Sequence, residues 1–416
     1  MVVFVIFCGF RKRCPTVISK TPFTSDERRA VLALASLYSF RMLGLFMVLP
    51  LLGVYAAGMP GATPAMLGLA LGAYGLTQAA LQLPLGWLSD RVGRRPIILL
   101  GLSAFIAGSL VAAYAETLDG IIVGRFLQGC GAIAAALTAM AADYTRDSQR
   151  TKTMAIIGAS VGLSFVIALV LGPVLAAVGG LGLVFMTTAG MGVIGFLLVA
   201  LVLPKVPAVT RSTSGAPWQA DHIFGGGLPV LYAGIFLLHG IIMATFLVVP
   251  DRLANTVGFP ADHHWAVYLG AVIISVPPAL LLMRRGRGGD DPRRVLLISV
   301  TALLVGSLVA LNVADLYGIG IGLVCFFVGI NTLEAVLPAL VTRIAPDRSR
   351  GAAMGVFSSC QFLGIFVGGS AGGFVLGSGG LVAISGLVAG LTMIWVLLLA
   401  FVPMVIADTA ETESSQ

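Results

Sequence analysis

Twelve apolar stretches, each long enough to cross a lipid bilayer, follow one another along this chain. An α-helix needs about 20 mostly apolar residues to span the hydrocarbon core, whereas strands of a membrane barrel alternate polar and apolar residues over roughly 10 positions. The pattern therefore predicts an all-α membrane protein with twelve transmembrane helices. The stretches are residues 30–57, 65–88, 96–115, 120–142, 154–178, 181–203, 229–250, 264–283, 295–312, 316–341, 352–376 and 379–405.

The charge content argues against a water-soluble chain. Only 10% of the 416 residues are charged and 58% are hydrophobic, whereas soluble globular domains carry about 25% charged residues. So few polar groups cannot cover the surface of a soluble protein of this length. The basic residues are dispersed among helix ends rather than gathered in one patch, so no nucleic-acid partner is expected.

Basic residues are confined almost entirely to alternate loops. The loops between helices 2 and 3, 4 and 5, 8 and 9, and 10 and 11 each carry several, whereas the loops between them carry only Arg252. Loops rich in lysine and arginine stay on the cytoplasmic side of a membrane. We therefore expect both termini to be cytoplasmic.

The chain divides into two halves joined by a polar linker. Residues 204–228 are rich in Pro, Ser, Thr and Gly, which favours an irregular connection. An offset of 200 residues pairs Asp90 with Asp290 and Arg94 with Arg294 in equivalent loops, which indicates an internal repeat. We predict two pseudo-symmetric six-helix bundles with flanking segments. The predicted parts are a cytoplasmic tail (1–28), the first bundle (29–203), a cytoplasmic linker (204–228), the second bundle (229–406) and a C-terminal tail (407–416).

The loop after helix 2 carries the most specific motif. Residues 86–96 read Gly-Trp-Leu-Ser-Asp-Arg-Val-Gly-Arg-Arg-Pro. This segment resembles the signature loop between helices 2 and 3 of the major facilitator superfamily. Parallel six-helix halves, with a substrate site between them near mid-membrane, are the layout of these transporters. The resemblance implies the major facilitator fold and a transport function.

Three further motifs resemble the twelve-helix drug:proton antiporter branch of that superfamily. They are Gly44 followed by Pro50 in helix 1, the run Arg125-Phe126-Leu127-Gln128-Gly129 in helix 4, and Gly172-Pro173 in helix 5. The Gly-Gly pair that normally follows the last motif closely is displaced to Gly179-Gly180, which departs from the branch pattern. Over residues 25–405 the chain resembles YajR-type bacterial transporters, without the soluble C-terminal domain of that type. These resemblances imply proton-coupled export across a bacterial inner membrane.

The loop motif implies a cytoplasmic gate. Asp90 has no use as a topological signal, and it could accept hydrogen bonds at the N-terminus of a neighbouring helix, where the helix dipole favours an anion. The arginines could pair with Asp143 at the end of helix 4 or with phospholipid, or they could serve topology alone. The predicted gate residues are Gly86, Asp90, Arg91, Gly93, Arg94, Arg95 and Asp143.

Glycine and proline motifs are expected to shape the moving helices. Gly172 and Pro173 would bend helix 5, and Gly44 and Pro50 form the equivalent motif of helix 1. Static packing between helices is the alternative explanation for the same residues.

Three charged residues lie inside predicted helices: Arg41, Arg125 and Glu334. A charge at the centre of a membrane helix costs roughly 2.5–3.5 kcal/mol on the translocon scale, so each is expected to face a cavity or a partner. Glu334 is the only carboxylate deep within a predicted helix, and low-dielectric surroundings disfavour its charged form. We therefore expect Glu334 to exchange protons, with a static ion pair or interhelical hydrogen bond as the alternative.

Other polar residues in the helices are weaker candidates. His239 in helix 7 is a titratable alternative to Glu334, although a lone histidine in a helix is more often a packing residue. Arg125 resembles the family's helix 4 arginine, which is linked with proton coupling there, and a structural hydrogen-bond hub is the alternative. Gln128 and Asn331 are candidates for binding substrate or for bridging helices.

The function expected from these features is secondary active transport. We expect export of small molecules or drugs in exchange for protons, with a metabolite or sugar facilitator, or a non-transporting membrane sensor, as the alternatives. The sequence holds no nucleotide-binding GxxxxGK loop, so ATP-driven pumping is not expected, and neither is enzyme activity. The five cysteines predict no metal site and no disulfide. The expected partners are a small-molecule substrate, protons and the lipid bilayer, with the proton gradient in place of a cofactor and the chain a monomer.

Overall fold

The computed structural model describes residues 22–203, 223–287, 291–346 and 349–402, and over these ranges the regular structure is helical. The predicted tails at 1–28 and 407–416 and the predicted linker at 204–228 lie largely or wholly outside the described residues, as does the end of the second predicted bundle. The helices are α1 (Ser25–Val48), α2 (Leu52–Tyr55), α3 (Pro64–Val92), α4 (Arg94–Ala113), α5 (Leu118–Gly129), α6 (Ala134–Asp143), α7 (Asp147–Leu197), α8 (Leu228–Asp251), α9 (His264–Arg287), α10 (Pro292–Asn312), α11 (Leu316–Ile344) and α12 (Arg350–Phe401).

Side-chain caps set where several helices begin. Thr24 accepts a hydrogen bond from the backbone N–H of Glu27, and the Glu27 carboxylate accepts one from the N–H of Thr24. This reciprocal pair satisfies N–H groups that the first turn of a helix leaves without partners. Three further helices, α3, α5 and α11, begin directly after a residue whose side-chain oxygen accepts one backbone N–H bond. These capping residues are Thr63, Thr117 and Asp315.

The described residues form ten helical segments that are long and apolar enough to span a membrane. The prediction was twelve. The difference arises because α7 and α12, with 51 and 52 residues, run through positions predicted to separate helices. Non-helical backbone inside α7 occurs at Gly179 and Gly180, and inside α12 at Gly380. A straight helix of 51 residues would be about 76 Å long, more than twice the roughly 30 Å of a hydrocarbon core.

The predicted fourth helix is interrupted. α5 ends at Gly129, the backbone from Cys130 to Ile133 is not helical, and α6 then runs to Asp143. A Cβ at Gly131 would lie 2.7 Å from the carbonyl oxygen of Gly101 in α4. The break thus lies where two backbones approach closely, one turn beyond Arg125.

The helices pack within each half, and the halves meet along a main seam and through smaller contacts of α9 with α7 and of α8 with α2. In the first half α1 and α4 pack on α7, and α3 packs on α5; in the second, α8 packs on α12 and α9 and α10 pack on α11. Between the halves, α3 packs along α12. We call the end of the bundle that carries Arg94, Arg146 and Arg293 the basic face.

The seam between α3 and α12 is built from glycine. A Cβ at Gly68 would overlap the backbone of Gly369, and one at Gly72 would lie 2.7 Å from the carbonyl oxygen of Phe366. These residues belong to the half of α3 remote from the basic face. Nearer the basic face, the contact continues through the Leu83 side chain, which meets Gly355.

Candidate substrate and proton site

His239, Glu334 and Gln361 meet inside the second half, although they come from three helices. His239 of α8 lies with Nε2 3.2 Å from Oε1 of Glu334 in α11 and 2.9 Å from Nε2 of Gln361 in α12. His239 is buried and the Glu334 side chain is 25% exposed. The sequence proposed Glu334 and His239 as separate candidates, and the structure places them in contact.

The bonds around His239 determine where a proton can reside. Nδ1 lies 3.2 Å from the carbonyl oxygen of Ile235, which can only accept, so Nδ1 carries a proton. In the neutral ring Nε2 is then an acceptor, and the Gln361 amide can donate to it. A hydrogen bond between Nε2 and the Glu334 carboxylate needs one further proton on either of them, and because Nε2 has a single lone pair, that proton replaces the one donated by Gln361. This arrangement can hold one exchangeable proton.

Arg41 of α1 is buried and makes one hydrogen bond within the described residues. Its Nη2 donates to the hydroxyl of Tyr74 in α3 at 2.7 Å. Within the described part of the chain, Nε and Nη1 have no hydrogen-bond partner. The sequence analysis expected Arg41 to face a cavity or a partner, and its partner here is a neutral phenol in place of a carboxylate.

Residues from α12 connect the two sites. The Phe362 ring packs edge-on against the Tyr74 ring, with centroids 6.1 Å apart. Gln361, its neighbour in sequence, contacts His239. Successive residues of a helix point about 100° apart, which allows one turn of α12 to contact Tyr74 in the first half and His239 in the second.

Arg125 and Gln128 form a satisfied network inside the first half. The Arg125 guanidinium donates to the carbonyl oxygens of Ala70 (3.3 Å) and Leu71 (3.5 Å) and to Oε1 of Gln128 (3.0 Å). Gln128 in turn donates to Ser109 at 2.8 Å. Both side chains are buried. The geometry suits the structural hub that the sequence left open as the alternative for Arg125.

Asn331 bridges two helices of the second half. Its Nδ2 donates to the Ser275 hydroxyl at 2.9 Å, which joins α11 to α9. Asn331 lies one turn from Glu334 along α11, so the bridge supports the helix that carries the carboxylate.

The gate residues cluster at the basic face. Arg94 pairs with Asp90 one turn earlier and reaches Asp143 of α6 at 3.4 Å. Arg91 lies over the Trp87 ring, 3.8 Å from its centroid. In this structure Asp90, in the last turn of α3, pairs with the side chain of Arg94 at the first position of α4, whereas the sequence analysis expected bonds from backbone N–H groups at a helix start.

Three other gate residues make backbone or close-packing contacts. Gly93 joins α3 directly to α4 with φ +112°, a conformation that residues with a Cβ rarely adopt. Arg95 donates to the carbonyl oxygen of Ala200 at the end of the first half. Gly86 faces Ala135, which a Cβ would approach to 3.1 Å.

The predicted helix-bend residues lie where α1 and α7 cross. A Cβ at Gly44 would overlap the Thr188 side chain, and one at Gly172 would lie 2.8 Å from the carbonyl oxygen of Met47. Pro50 follows the end of α1 directly. The backbone stays helical through Gly172 and Pro173, and the non-helical positions of α7 lie further on.

Sequence reasoning missed Tyr74 and Phe362. Both are aromatic residues in apolar helices, where aromatic residues most often serve packing, and nothing in their spacing marks them. The one available signal was the need of Arg41 for a polar neighbour.

Comparisons with known proteins match most of the chain. The family model described as Major Facilitator Superfamily matches residues 34–289. The chain is 42% identical over 361 residues to the inner membrane transport protein YajR of Escherichia coli (strain K12), covering 85% of this chain and 79% of YajR. It is 30% identical over 298 residues to multidrug resistance protein MdtL of Klebsiella pneumoniae (strain 342), covering 65% of this chain and 72% of MdtL. A crystal structure of a bacterial homolog to the human lysosomal transporter Spinster, inward-facing and occupied, superposes with a TM-score of 0.72 at 15% identity, covering 91% of this chain and 93% of that one.

Proposed function

The chain belongs to the Major Facilitator Superfamily, and on that premise we propose that it exports small molecules in exchange for protons. Membership makes it a membrane transporter of a small-molecule substrate and not an enzyme. The direction of transport and the coupling to protons are the proposal.

The observation that carries the proposal is the contact between His239 and Glu334. A coupled transporter needs a group that gains and loses one proton during its cycle. The pair offers one exchangeable proton, shared between Nε2 of His239 and Oε1 of Glu334, which lie 3.2 Å apart. The Glu334 side chain is partly exposed, so a proton can reach it. Arginines cannot serve, because they stay charged in proteins.

Export is supported by a relative and by the seam between the halves. MdtL is named a multidrug resistance protein, which is the expected property of an exporter. Glycine contacts between α3 and α12 suit two halves that rock against each other, because few side chains interlock there. Rocking of this kind around a fixed site is alternating access.

We further propose that α7 and α12 each cross the membrane twice, so that the chain has twelve spans. The backbone would reverse direction at the two breaks, which are Gly179-Gly180 in α7 and Gly380 in α12. We propose that the basic face lies inside, which makes both termini cytoplasmic, and that the membrane is the inner membrane, which the similarity to the inner membrane transport protein YajR supports. An impermeant thiol reagent added to intact cells should label Glu116→Cys and miss Ser148→Cys; the reverse result contradicts this orientation.

The decisive experiment replaces Glu334. A compound panel tested in inverted vesicles first identifies a substrate. Glu334→Gln then fixes a neutral group of nearly equal size, so substrate-driven proton movement and uphill export should fall to background in proteoliposomes. Substrate exchange without a gradient should continue, and Glu116→Gln, at an exposed carboxylate outside the spans, should behave as wild type.

Three outcomes contradict the proposal. If Glu334→Gln concentrates substrate with wild-type pH dependence, the pair is not the proton carrier. If the wild type equilibrates sugars or metabolites without moving protons, it is a facilitator, and if no compound moves, it is a sensor on a transporter fold.

A further inference from the structure

Arg41 has fewer partners than a buried guanidinium needs. Its Nε and Nη1, which carry three of the five N–H donors of the side chain, have no hydrogen-bond partner among the described residues. It is 1% exposed. The one bond, to Tyr74, brings no negative charge.

Arg125 shows that this is not a general property of arginines in this fold. Arg125 is buried to a similar degree, and Nε, Nη1 and Nη2 all donate to oxygen atoms. Both arginines belong to the same half, one satisfied by the protein and one left with donors to spare. An uncompensated buried charge is strongly unfavourable, so Arg41 calls for an acceptor that the described chain does not supply.

The chemistry of the unpaired donors favours a carboxylate. Guanidinium groups match the planar oxygen pair of a carboxylate and form charge-assisted hydrogen bonds with it. The Arg41 guanidinium bonds the Tyr74 hydroxyl, and the Phe362 ring packs against the Tyr74 ring. Aromatic rings of this kind suit the apolar body of an organic molecule. The acceptor that fits is a small organic anion with one carboxylate on an apolar body.

We propose that Arg41, oriented by Tyr74, binds the carboxylate of an organic-anion substrate. The inference rests on the proposed function, because it names the substrate class of that transport site. It also links substrate to proton: Phe362 contacts Tyr74 beside the anion, and the adjacent Gln361 contacts His239 of the proton-holding pair. The anion site, through Tyr74, and the proton-holding pair, through His239, thus contact consecutive residues of α12.

Calorimetric titration of the purified full chain in detergent tests this directly. The probes are benzoate and octanoate, with benzamide and octanamide as neutral partners of equal shape. Wild type should bind at least one carboxylate and neither amide. Arg41→Gln should weaken that binding about tenfold or more, since it removes charge-assisted hydrogen bonds, and Tyr74→Phe should weaken it by a smaller factor.

Two controls separate this inference from the proposed function. Arg252→Gln changes an arginine that donates to the carbonyl oxygen of Val313 and makes no hydrogen bond to Arg41 or Tyr74 among the described residues, and it should bind as wild type. Glu334→Gln should keep carboxylate binding while losing uphill export, because equilibrium binding needs no gradient. If Arg41→Gln does not fold, Tyr74→Phe and Arg41→Lys supply the comparison.

Three results overturn the assignment. They are equal carboxylate affinity in wild type and Arg41→Gln, binding of the amides as tightly as the acids, and a response to chloride or inorganic phosphate with none to either carboxylate. The last would make Arg41 a site for an inorganic anion.

Discussion

The two halves of this transporter share a backbone plan but differ in the polarity of their interiors. In the first half, a Cβ at Gly108 of α4 would lie 2.6 Å from the carbonyl oxygen of Gly124; in the second, one at Gly306 of α10 would lie 2.7 Å from that of Gly322. Each residue of the second pair stands 198 positions after its counterpart. The close approach of α4 to α5 in the first half is therefore repeated between α10 and α11 in the second half, at equivalent positions.

The side chains on this common plan are different. At the register where the first half has Arg125 and Gln128, the second has Leu323 and Phe326, all four of them buried. Phe326 joins an aromatic cluster with Phe246 and Phe327. Buried polarity in the first half is thus replaced by apolar packing.

This difference suggests a division of roles between the halves. The first half carries permanent charge, because an arginine keeps its proton. The second carries the titratable pair of His239 and Glu334. A substrate anion held by the first half and a proton held by the second would place the two transported species on opposite sides of one seam.

The largest effect is expected from exchanging the two interiors. Leu323→Arg would bury a charge among aromatic rings without acceptors, so the variant should fail to give a monodisperse, cooperatively melting protein. Arg125→Leu leaves Gln128 Oε1 without its donor and should lower the free energy of unfolding by about 1–3 kcal/mol. Size-exclusion profiles and melting in detergent measure both. A Leu323→Arg protein that melts like wild type would show that the two interiors are interchangeable.

A large effect on transport with a small one on stability is expected at the gate. Asp90→Asn removes the exposed ion pair with Arg94, which should change the free energy of unfolding by less than about 1 kcal/mol. Export should nevertheless fall, because the family resemblance assigns this loop to the gate. Vesicle transport and expression are measured together, and normal expression with normal transport leaves the gate without support.

The smallest difference between the halves is expected at their glycine breaks. Gly180 and Gly380 have φ of +64° and +61°, and a Cβ at either would meet no atom within 4 Å. With ψ of −165° and −152°, both lie in a backbone region that is essentially confined to glycine, so alanine there should cost about 1–3 kcal/mol in backbone strain. Gly180→Ala and Gly380→Ala should therefore shift the melting temperature equally. A clear inequality would mean that the halves differ in backbone as well as in side chains.

Helix positions were largely predictable, because hydrophobic length is a local property. The predicted stretch 316–341 corresponds to α11, and 295–312 to α10. The break between Cys130 and Ile133 was not predictable, because it depends on Gly131 meeting Gly101 of another helix. The predicted separation at Gly179-Gly180, by contrast, coincides with the non-helical backbone inside α7.

For the site, the sequence identified residues but not their partners. Arg41, His239 and Glu334 stand out because charge and titratable groups are costly in a membrane. Their spacing along the chain carries no information about contact, so the pairing of His239 with Glu334 required the fold. The sequence did not identify Tyr74 as a site residue, because an aromatic residue costs little free energy in an apolar helix and so does not stand out.

The glycine seam between α3 and α12 has a thermodynamic consequence. Gly68 and Gly72 meet the backbone of α12, so separating the helices there uncovers little apolar side-chain area. The heat-capacity change of a transition scales with the apolar area that it exposes. Opening of that end of the seam would then carry a small heat-capacity change, so the enthalpy of this one step would vary little with temperature.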